Sequence, residues 1–441
     1  MKIKFLFVAI VTILTSGSCK KSTPSNNGGG GGGTTLTVPV ISATTAAGTL
    51  TNVSAISGGN ITSDGGATVT VRGVCWSTAA NPTTANTKTT DGTGTGLFTS
   101  NLSPLSSGVT YFVRAYATNS VGTAYGNEIS FSTSNADVYI AGYESNGSKD
   151  VAKIWKNGVA TSLSTGATDA RALSVYVSGT DVYVGGYEVN GATEIAKLWK
   201  NGLATSLTSG AFNARVNSVF VLGPDVYAAG VESLTNGTAA KVWKNGVVST
   251  LPNSGLIGAG YGIFVSGGDV YVAGTESSTA IFAKLWKNGT ISSLTNGASN
   301  AEARAVYVTG SDVYVAGYEY SGANNIGKVW KNGVATSLTS NTNYGYAWGL
   351  CVSGADVYVC GSETVGTNYV AKAWKNGAPI SLTNGSFGGS GLSISVLGAD
   401  VYVCGTETNG TASAAKLWKN GISTSLTNGL NYASAYSIFV K

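Results

Sequence analysis

The sequence contains no histidine, and its only methionine is Met1. Without imidazole, neither a histidine metal site nor a serine–histidine or cysteine–histidine catalytic pair can form. Charged residues make up only 11% of the chain, whereas there are 62 glycines and aromatic residues reach 10%. Glycine-rich turns and aromatic segments are typical of an all-β protein, which is the fold class we predict. We expect no cofactor.

The sequence also has few charged residues and few cysteines, and their positions exclude two kinds of site. The formal net charge is +5, but four of the excess positive residues lie at the extreme N-terminus, at Lys2, Lys4, Lys20 and Lys21. Most of the remaining lysines recur at fixed positions beside acids, so no basic patch for nucleic acid is expected. The 5 cysteines show neither a Cys-x-x-Cys spacing nor a disulfide framework.

The N-terminus is typical of an export signal. An apolar run spans Phe5–Leu14 behind a lysine-bearing start. This run is too short to cross a bilayer, which needs roughly 20 apolar residues, but it suits a signal peptide. Small residues directly before Cys19 resemble a bacterial lipobox, although Ser16 stands where leucine is more usual. We predict a lipoprotein signal peptide over 1–18 and lipidation of Cys19; an ordinary signal peptide is the alternative.

Residues 19–34 are rich in glycine and contain no apolar residue after Cys19, so they are predicted to be a flexible tether. Together with a lipidated cysteine, such a tether implies a membrane partner. The expected location is outside the cytoplasm, anchored by lipid to a bacterial membrane, at the outer membrane or the cell surface.

Residues 35–134 contain alternating apolar segments separated by glycine, asparagine and aspartate turns. The stretch Leu102–Thr133 resembles a fibronectin type III module, with Leu105, Gly108 and Tyr111 where that family has its tyrosine corner. The resemblance implies a β-sandwich that acts as a spacer or adhesion module rather than as an enzyme.

Residues 135–441 are built from repeats. The motif K-x-W-K-N-G occurs seven times, and D-V-Y opens each repeat at Asp137, Asp181, Asp225, Asp269, Asp312, Asp356 and Asp400. The period is about 44 residues, and each unit contains four β-type segments. Four strands in each of seven units predict a seven-bladed β-propeller. A solenoid is the alternative, but it would need atypical capping repeats at its ends.

The repeated residues have structural explanations. The Asn-Gly pair at Asn157 is a strong signal for a tight hairpin. Trp155 and its equivalents are expected to fill the space between blades, the alternative being seven identical ligand sites. Glu144 is expected to face Lys153 across adjacent strands, in a pairing that would put Trp155 opposite Gly142.

The order of strands predicts how the ring closes. The first repeat starts with a blade's second strand, and the chain ends with Ala435–Lys441, an inner strand with nothing after it. This last strand should complete the first blade and remove the open edge. The predicted fold is therefore a fibronectin III-like β-sandwich (35–134) followed by a seven-bladed β-propeller (135–441) closed by the C-terminal strand.

The two faces of the predicted ring differ. The S-G-x-D-type turns and the Asn-Gly turns are short, and they define what we call the tight-turn face. The remaining loops, such as 145–150 and 165–171, differ between repeats and define the variable face. Loops on a rigid scaffold commonly carry function, so we expect a site on the variable face, with the fibronectin-like module on the tight-turn face.

Residues that break the repeat pattern collect near the predicted channel mouth. Eight residues before the framework aspartates stand Leu173, Asn217, Tyr261, Arg304, Trp348 and Leu392, with Tyr436 as the seventh equivalent. The candidate ligand-binding residues are Arg171, Arg215, Asn217, Tyr261, Glu302, Arg304, Tyr346, Trp348 and Tyr436.

Aromatic rings stack on sugars or peptide groups, and arginine binds carboxylate or sulfate. We therefore expect a monomeric, non-catalytic binding or adhesion lipoprotein for a glycan or protein ligand, most specifically an acidic or sulfated glycan. One alternative is a glycosidase or lyase that uses Asp150, Asp169, Glu194 or Glu302, although no two of these are brought together by local spacing. A purely structural protein, whose mouth residues only fill the channel, is the other alternative.

Overall fold

The computed structural model describes residues 35–253, 255–278 and 280–441, and every regular element in these ranges is a β-strand. The predicted signal peptide, the tether and Cys19 lie outside the described residues. Within the described ranges, no helix has the length and apolar character needed to cross a bilayer.

The N-terminal unit contains the first eight strands. They are β1 (Val40–Gly48), β2 (Ala55–Ser63), β3 (Val71–Ser77), β4 (Thr87–Lys88), β5 (Gly96–Leu102), β6 (Thr110–Thr118), β7 (Thr123–Tyr125) and β8 (Ile129–Ser132). One sheet has the order β1-β2-β5, and the other has the order β4-β3-β6-β7 with β8 also paired to β6. Trp76, Leu105 and Tyr111 are buried in the core of this unit. The Tyr111 hydroxyl accepts a hydrogen bond of 3.0 Å from the Ser106 amide.

The repeats contribute four classes of strand. The innermost strands are β12 (Ala170–Ser178), β16 (Ala214–Leu222), β20 (Ile257–Ser266), β24 (Ala301–Thr309), β28 (Gly345–Ser353), β32 (Gly389–Leu397) and β36 (Ala433–Val440). The second strands are β9 (Val138–Ser145), β13 (Asp181–Asn190), β17 (Asp225–Leu234), β21 (Asp269–Ser277), β25 (Asp312–Tyr320), β29 (Asp356–Val365) and β33 (Asp400–Thr408).

The third strands are β10 (Asp150–Lys156), β14 (Thr193–Lys200), β18 (Gly237–Lys244), β22 (Ile281–Lys287), β26 (Asn325–Lys331), β30 (Asn368–Lys375) and β34 (Ser413–Lys419). The outer strands are β11 (Val159–Ser162), β15 (Leu203–Ser206), β19 (Val247–Thr250), β23 (Thr290–Ser293), β27 (Val334–Ser337), β31 (Ala378–Ser381) and β35 (Ile422–Ser425).

The strands form antiparallel groups in the order innermost, second, third, outer, and the innermost strand of each group comes from the preceding repeat, or from the C-terminus in the first group. The groups that start at β16 and β20 join into one sheet through a single parallel pair, Thr238 with Ile257. Innermost strands of successive groups pack side by side, and β36 packs against both β32 and β12. Serine hydroxyls link some of these neighbours: Ser174 accepts from the Val219 amide at 3.0 Å, and Ser437 accepts from the Val175 amide at 3.1 Å. The structure is thus an all-β, propeller-like arrangement.

One tryptophan from each repeat fills the space between neighbouring groups, as predicted. All seven indoles are at most 1% exposed: Trp155, Trp199, Trp243, Trp286, Trp330, Trp374 and Trp418. Trp199 packs against Tyr139 of the preceding repeat. Trp155, in the first repeat, packs against Tyr402 of the last repeat and Ala433 of β36.

The strand register corrects one prediction. Lys153 lies opposite Gly142, Trp155 lies opposite Ile140 and Glu144 lies opposite Val151. The predicted placement of Trp155 opposite Gly142 is therefore wrong. Lys153 and Glu144 still form an ion pair, at 2.6 Å, because the long lysine side chain reaches a diagonal neighbour on the next strand.

The hairpin turns have the predicted chemistry. Asn157 has a φ of 51° and Gly158 a φ of 83°, and the asparagines of the other six turns also have positive φ. Both central residues of a type I′ turn need positive φ, which asparagine and glycine adopt most readily. The Asn157 side chain accepts from the Val138 amide and donates to Asp137, both at 2.8 Å. These bonds place the Asn-Gly turn beside the start of the repeat, on the tight-turn face.

The C-terminal strand pairs with the first repeat. β36 lies antiparallel to β9, with Ile438 opposite Ile140 and Val440 opposite Val138. Beyond the strand, Asp137 and Lys441 exchange two backbone hydrogen bonds of 2.8 and 3.1 Å. The first group therefore takes its innermost strand from the far end of the chain, in agreement with the predicted strand order.

The N-terminal unit rests on a turn of the last repeat. Asp400 accepts hydrogen bonds from the Ser107 amide at 3.0 Å and the Ser107 hydroxyl at 3.1 Å. The Ala399 amide donates to the Leu105 carbonyl at 3.2 Å. Gly398 has a φ of 60°, and a Cβ there would collide with the Leu105 carbonyl oxygen. The contact lies on the tight-turn face, where the module was predicted.

Truncation tests the role of β36. Removal of Ala435–Lys441 should expose the inner edge of β9 and the apolar surface around Ile140. Ile438 and Val440 are buried, and burial of each such side chain contributes about 1.5–3 kcal/mol. We expect a lower melting temperature and self-association, measured by circular dichroism and size-exclusion chromatography. Lys441→Ala is the control, because it keeps the two backbone hydrogen bonds to Asp137. A truncated protein that melts like the full chain and stays monomeric would contradict the pairing.

A pH-dependent prediction follows from the same junction. Burial raises the pKa of Asp400, but hydrogen bonds from Lys419, Asn420 and the Ser107 amide outweigh it and hold the pKa at about 2. Since an unfolded aspartate titrates near ~3.9, the stabilising effect is complete above that pH and is lost as pH falls towards 2. Asp400→Asn should therefore destabilise the protein at pH 7, with a difference from wild type that shrinks below pH ~4.

Urea unfolding between pH 3 and 7 measures this difference. Asp356→Asn is the matched control, because Asp356 makes the same contacts to its own repeat but its side chain is 36% exposed, against 1% for Asp400. Equal losses of stability in the two variants at pH 7 would mean that the contact with the N-terminal unit contributes nothing.

Candidate binding site on the variable face

Each innermost strand carries a β-bulge at the same position. The pairing register of β12 with β13 shifts between Ala172 and Ser174, which leaves Leu173 as the extra residue. The same shift occurs in the other six innermost strands, and the extra residues are Asn217, Tyr261, Arg304, Trp348, Leu392 and Tyr436. A bulge kinks its strand and re-aims the side chain of the extra residue. These seven residues are the positions that the repeat alignment predicted at the channel mouth.

All seven bulge residues line one depression of about 650 Å³. Its wall also includes Arg171, Arg215, Tyr187, Val231, Thr238, Ile257 and Ala259. The depression is therefore formed by residues that differ from repeat to repeat, on a framework that hardly varies. Its volume lies within the roughly 300–1,000 Å³ of small-molecule sites.

Aromatic rings pack against one another three residues beyond the bulges. The rings of Tyr176, Phe220, Phe264 and Tyr307 follow one another on successive innermost strands with centroids 4.7–4.8 Å apart. Phe439 continues the belt at 4.9 Å from Tyr176. The two remaining equivalents are small, Cys351 and Ser395. This aromatic belt was not predicted, although its residues stand at a constant spacing after the bulge positions.

Each arginine of the repeats is paired with an acid. Arg171 contacts Asp150 at 2.6 Å, and Arg215 contacts Glu194 at 3.3 Å. Arg304 forms an ion pair with Glu302. The positive charge of the depression is thus offset locally, which weakens the basis for expecting an acidic or sulfated ligand.

Arg304 is held between aromatic rings. Its guanidinium lies 4.1 Å from the centroid of Tyr261 and 5.1 Å from that of Trp348. Burial alone would lower the pKa of Arg304. The interactions with Glu302, Tyr261 and Tyr318 have the larger effect, so the pKa is raised. Burial raises the pKa of Tyr318, and Glu302 adds to the effect. Arg304 therefore stays charged and fixed in orientation, with one side towards the depression.

On the opposite side of the mouth, Arg171 lies 4.4 Å from the ring of Tyr143 and donates to the Tyr436 hydroxyl at 3.4 Å. Burial raises the pKa of Tyr143 to about 12. Burial alone would lower the pKa of Arg171. The interactions with Tyr436, Tyr187 and Asp150 have the larger effect, so the pKa is raised. Burial also raises the pKa of Tyr436, which therefore stays neutral and lines the depression, whereas Tyr143 is buried behind Arg171.

The four candidate catalytic carboxylates all have cationic partners. Asp150, Glu194 and Glu302 pair with arginines, and Asp169 pairs with Lys149 at 3.0 Å. The Asp150 amide and Lys149 lower the pKa of Asp169, whereas a general acid of a glycosidase needs a raised pKa. None of the four lines the central depression.

The central depression includes seven of the nine candidate ligand-binding residues. These are Arg171, Arg215, Asn217, Tyr261, Arg304, Trp348 and Tyr436. Glu302 lies behind Arg304, as its ion-pair partner. Tyr346 lines a neighbouring cleft, together with Tyr318 and Tyr369, which the sequence analysis did not select. Those two belong to strands β25 and β30, so the pattern of the innermost strands could not identify them.

Comparisons with known proteins do not identify a family or a function. No protein-family model matches the chain, and no curated protein matches it. Among solved structures, the chain is similar to TolB from Acinetobacter baumannii, with 10% identity, a TM-score of 0.42, and coverage of 62% of this chain and 76% of TolB. It is also similar to a DUF4784 family protein from Bacteroides caccae ATCC 43185, with 9% identity, a TM-score of 0.30, and coverage of 76% and 94%. With both TM-scores below 0.5, neither likeness carries an inference about function.

Proposed function

We propose that the protein is a non-catalytic binding protein whose variable face holds a glycan in the central depression. The observation that carries the proposal is the set of bulge residues. A framework repeated seven times places five different residue types at its seven bulges, and all seven side chains meet in one depression. Tyr261, Trp348 and Tyr436 offer stacking surfaces, while Asn217 and Arg304 offer hydrogen-bond donors.

We also propose the finer architecture, a seven-bladed β-propeller closed by β36 behind a fibronectin III-like module. The seven groups of four strands, the cyclic packing of innermost strands and the pairing of β36 with β9 support the propeller. The two-sheet arrangement around β2 and β6 and the hydrogen bond to the Tyr111 hydroxyl support the module. The module would act as a spacer on the tight-turn face, leaving the variable face open.

Ligand screening with matched variants tests the site. The purified protein is screened against neutral, acidic and sulfated glycans and peptides, and the best ligand is titrated by calorimetry. Trp348→Ala should cost about 1–3 kcal/mol of binding through lost stacking. The double variant E302Q/R304A should also weaken binding without leaving a lone carboxylate, and should reduce salt sensitivity if the ligand is acidic.

Tyr432→Ala is the control, because Tyr432 is exposed and lies outside the central depression. Melting curves accompany each titration to exclude misfolding. Unchanged affinity in both Trp348→Ala and E302Q/R304A, with folding intact, would disprove the site. If no glycan or peptide binds at all, the mouth residues are channel filling and the protein is structural.

The proposed location is a bacterial membrane, through lipid on Cys19. Cys19→Ser should abolish incorporation of a labelled fatty acid, because serine has no thiol to carry the lipid. Cell fractionation with a labelled fatty acid measures both attachment and modification, and Ser22→Ala is the control. Incorporation of the labelled fatty acid into Cys19→Ser would contradict lipidation at Cys19.

A further inference from the structure

A second depression, of about 590 Å³, adjoins the first on the variable face. We refer to it as the aromatic cleft. It shares Trp348 and Leu392 with the central depression. The rest of its lining is Tyr318, Tyr346, Tyr369, Ser362, Gly388, Gly389, Ser390, Thr406, Thr408 and Ser413. A ligand long enough to leave the central depression past Trp348 would therefore enter this cleft.

The cleft lies beside an innermost strand that carries a small residue where four of the seven strands carry a large one. Two positions before the bulge residue, four innermost strands present Arg171, Arg215, Glu302 and Tyr346, and the other three present Ala259, Ser390 and Ser434. The equivalent in β32 is Ser390, which two glycines precede. The missing side chain leaves a gap beside Tyr346, open to the variable face.

Aromatic rings form one wall of this gap. Tyr346 and Trp348 are stacked with centroids 5.0 Å apart and an angle of 6° between their planes. Tyr318 packs edge-on against Tyr346 at 4.9 Å, and Tyr369 lies 5.9 Å from Tyr346. The Tyr346 hydroxyl accepts a hydrogen bond of 2.8 Å from Asn325. The wall is thus held in place by its neighbours, while Tyr369 remains 38% exposed.

The other wall is polar but uncharged. Among the described residues that line the cleft, none is charged, in contrast to the three arginines of the central depression. The Ser390 hydroxyl oxygen is buried and has no hydrogen-bond partner among the described residues, and the hydroxyls of Ser362 and Thr406 also line the cleft. A buried hydroxyl without a partner is costly, and a ligand hydroxyl that bonds to it would remove that cost.

We propose that the aromatic cleft is a subsite for a neutral pyranose unit of a longer glycan. One face of the sugar packs on the aromatic wall and its hydroxyls bond to the serine and threonine wall. The glycan continues past Trp348 into the central depression. This inference rests on the proposed function and makes it more specific: the ligand is a neutral oligosaccharide that spans both depressions. A charged sugar would lose its hydration in the cleft without gaining a partner of opposite charge.

Titration of the purified full-length protein with neutral oligosaccharides tests the subsite. The probes are β-1,4-linked glucose, xylose and mannose and α-1,4-linked glucose, each as disaccharide and hexasaccharide. We expect one series to bind, with the hexasaccharide tighter than the disaccharide. Tyr369→Ala should weaken hexasaccharide binding about tenfold, as expected for one lost stacking contact. Ser390→Leu fills the gap and should lower hexasaccharide affinity to that of the disaccharide.

Tyr320→Ala is the matched control for Tyr369→Ala, since Tyr320 is equally exposed but does not line the cleft. Both cleft variants must melt at the same temperature as the wild-type protein, which shows that they are folded. If a neutral hexasaccharide binds and neither Tyr369→Ala nor Ser390→Leu changes its affinity, the subsite is disproved while the central site stands. Binding of acidic glycans or peptides alone also disproves it. Absence of any ligand disproves the proposed function together with the subsite.

Discussion

Burial of one tryptophan between each pair of neighbouring sheets is the interaction on which the arrangement of the repeats depends. Trp155 and its six equivalents are almost completely shielded from water, and each packs against strands of the preceding repeat. Such a large buried ring contributes several kcal/mol and sets the distance between sheets. Trp155 of the first repeat packs against the last repeat. The two ends of the repeat region therefore meet through the same tryptophan contact that joins successive repeats.

The regular packing leaves one position in each repeat free to vary. The bulge in the innermost strand adds a residue that takes no part in the ladder, so the strand pairing does not restrict its side chain. Leucine, asparagine, tyrosine, arginine and tryptophan all occur there. The fold thus separates the residues of the framework from those that line the depression. The Asn-Gly turns, the Lys–Glu pairs and the tryptophans hold the sheets, whereas the bulge residues line the depression.

The two faces are used differently for a physical reason. On the tight-turn face, each framework aspartate is satisfied by asparagine and lysine of its own repeat, and only Asp400 also binds the N-terminal unit through Ser107. The N-terminal unit docks on the tight-turn face, so it does not cover the central depression or the aromatic cleft. A tether at the N-terminus, if anchored as proposed, would then hold the variable face away from the membrane.

The sequence by itself determined the strand order, the hairpin turns, the position of the buried tryptophans and the set of residues at the mouth. These features repeat, and turn chemistry such as the positive φ of Asn157 is local. Tertiary structure alone decided the diagonal pairing of Glu144 with Lys153, the neutralisation of Arg304 by Glu302 and the aromatic cleft. Register, side-chain direction and the gap beside Ser390 depend on distances between strands, and residue spacing along one chain does not specify those distances.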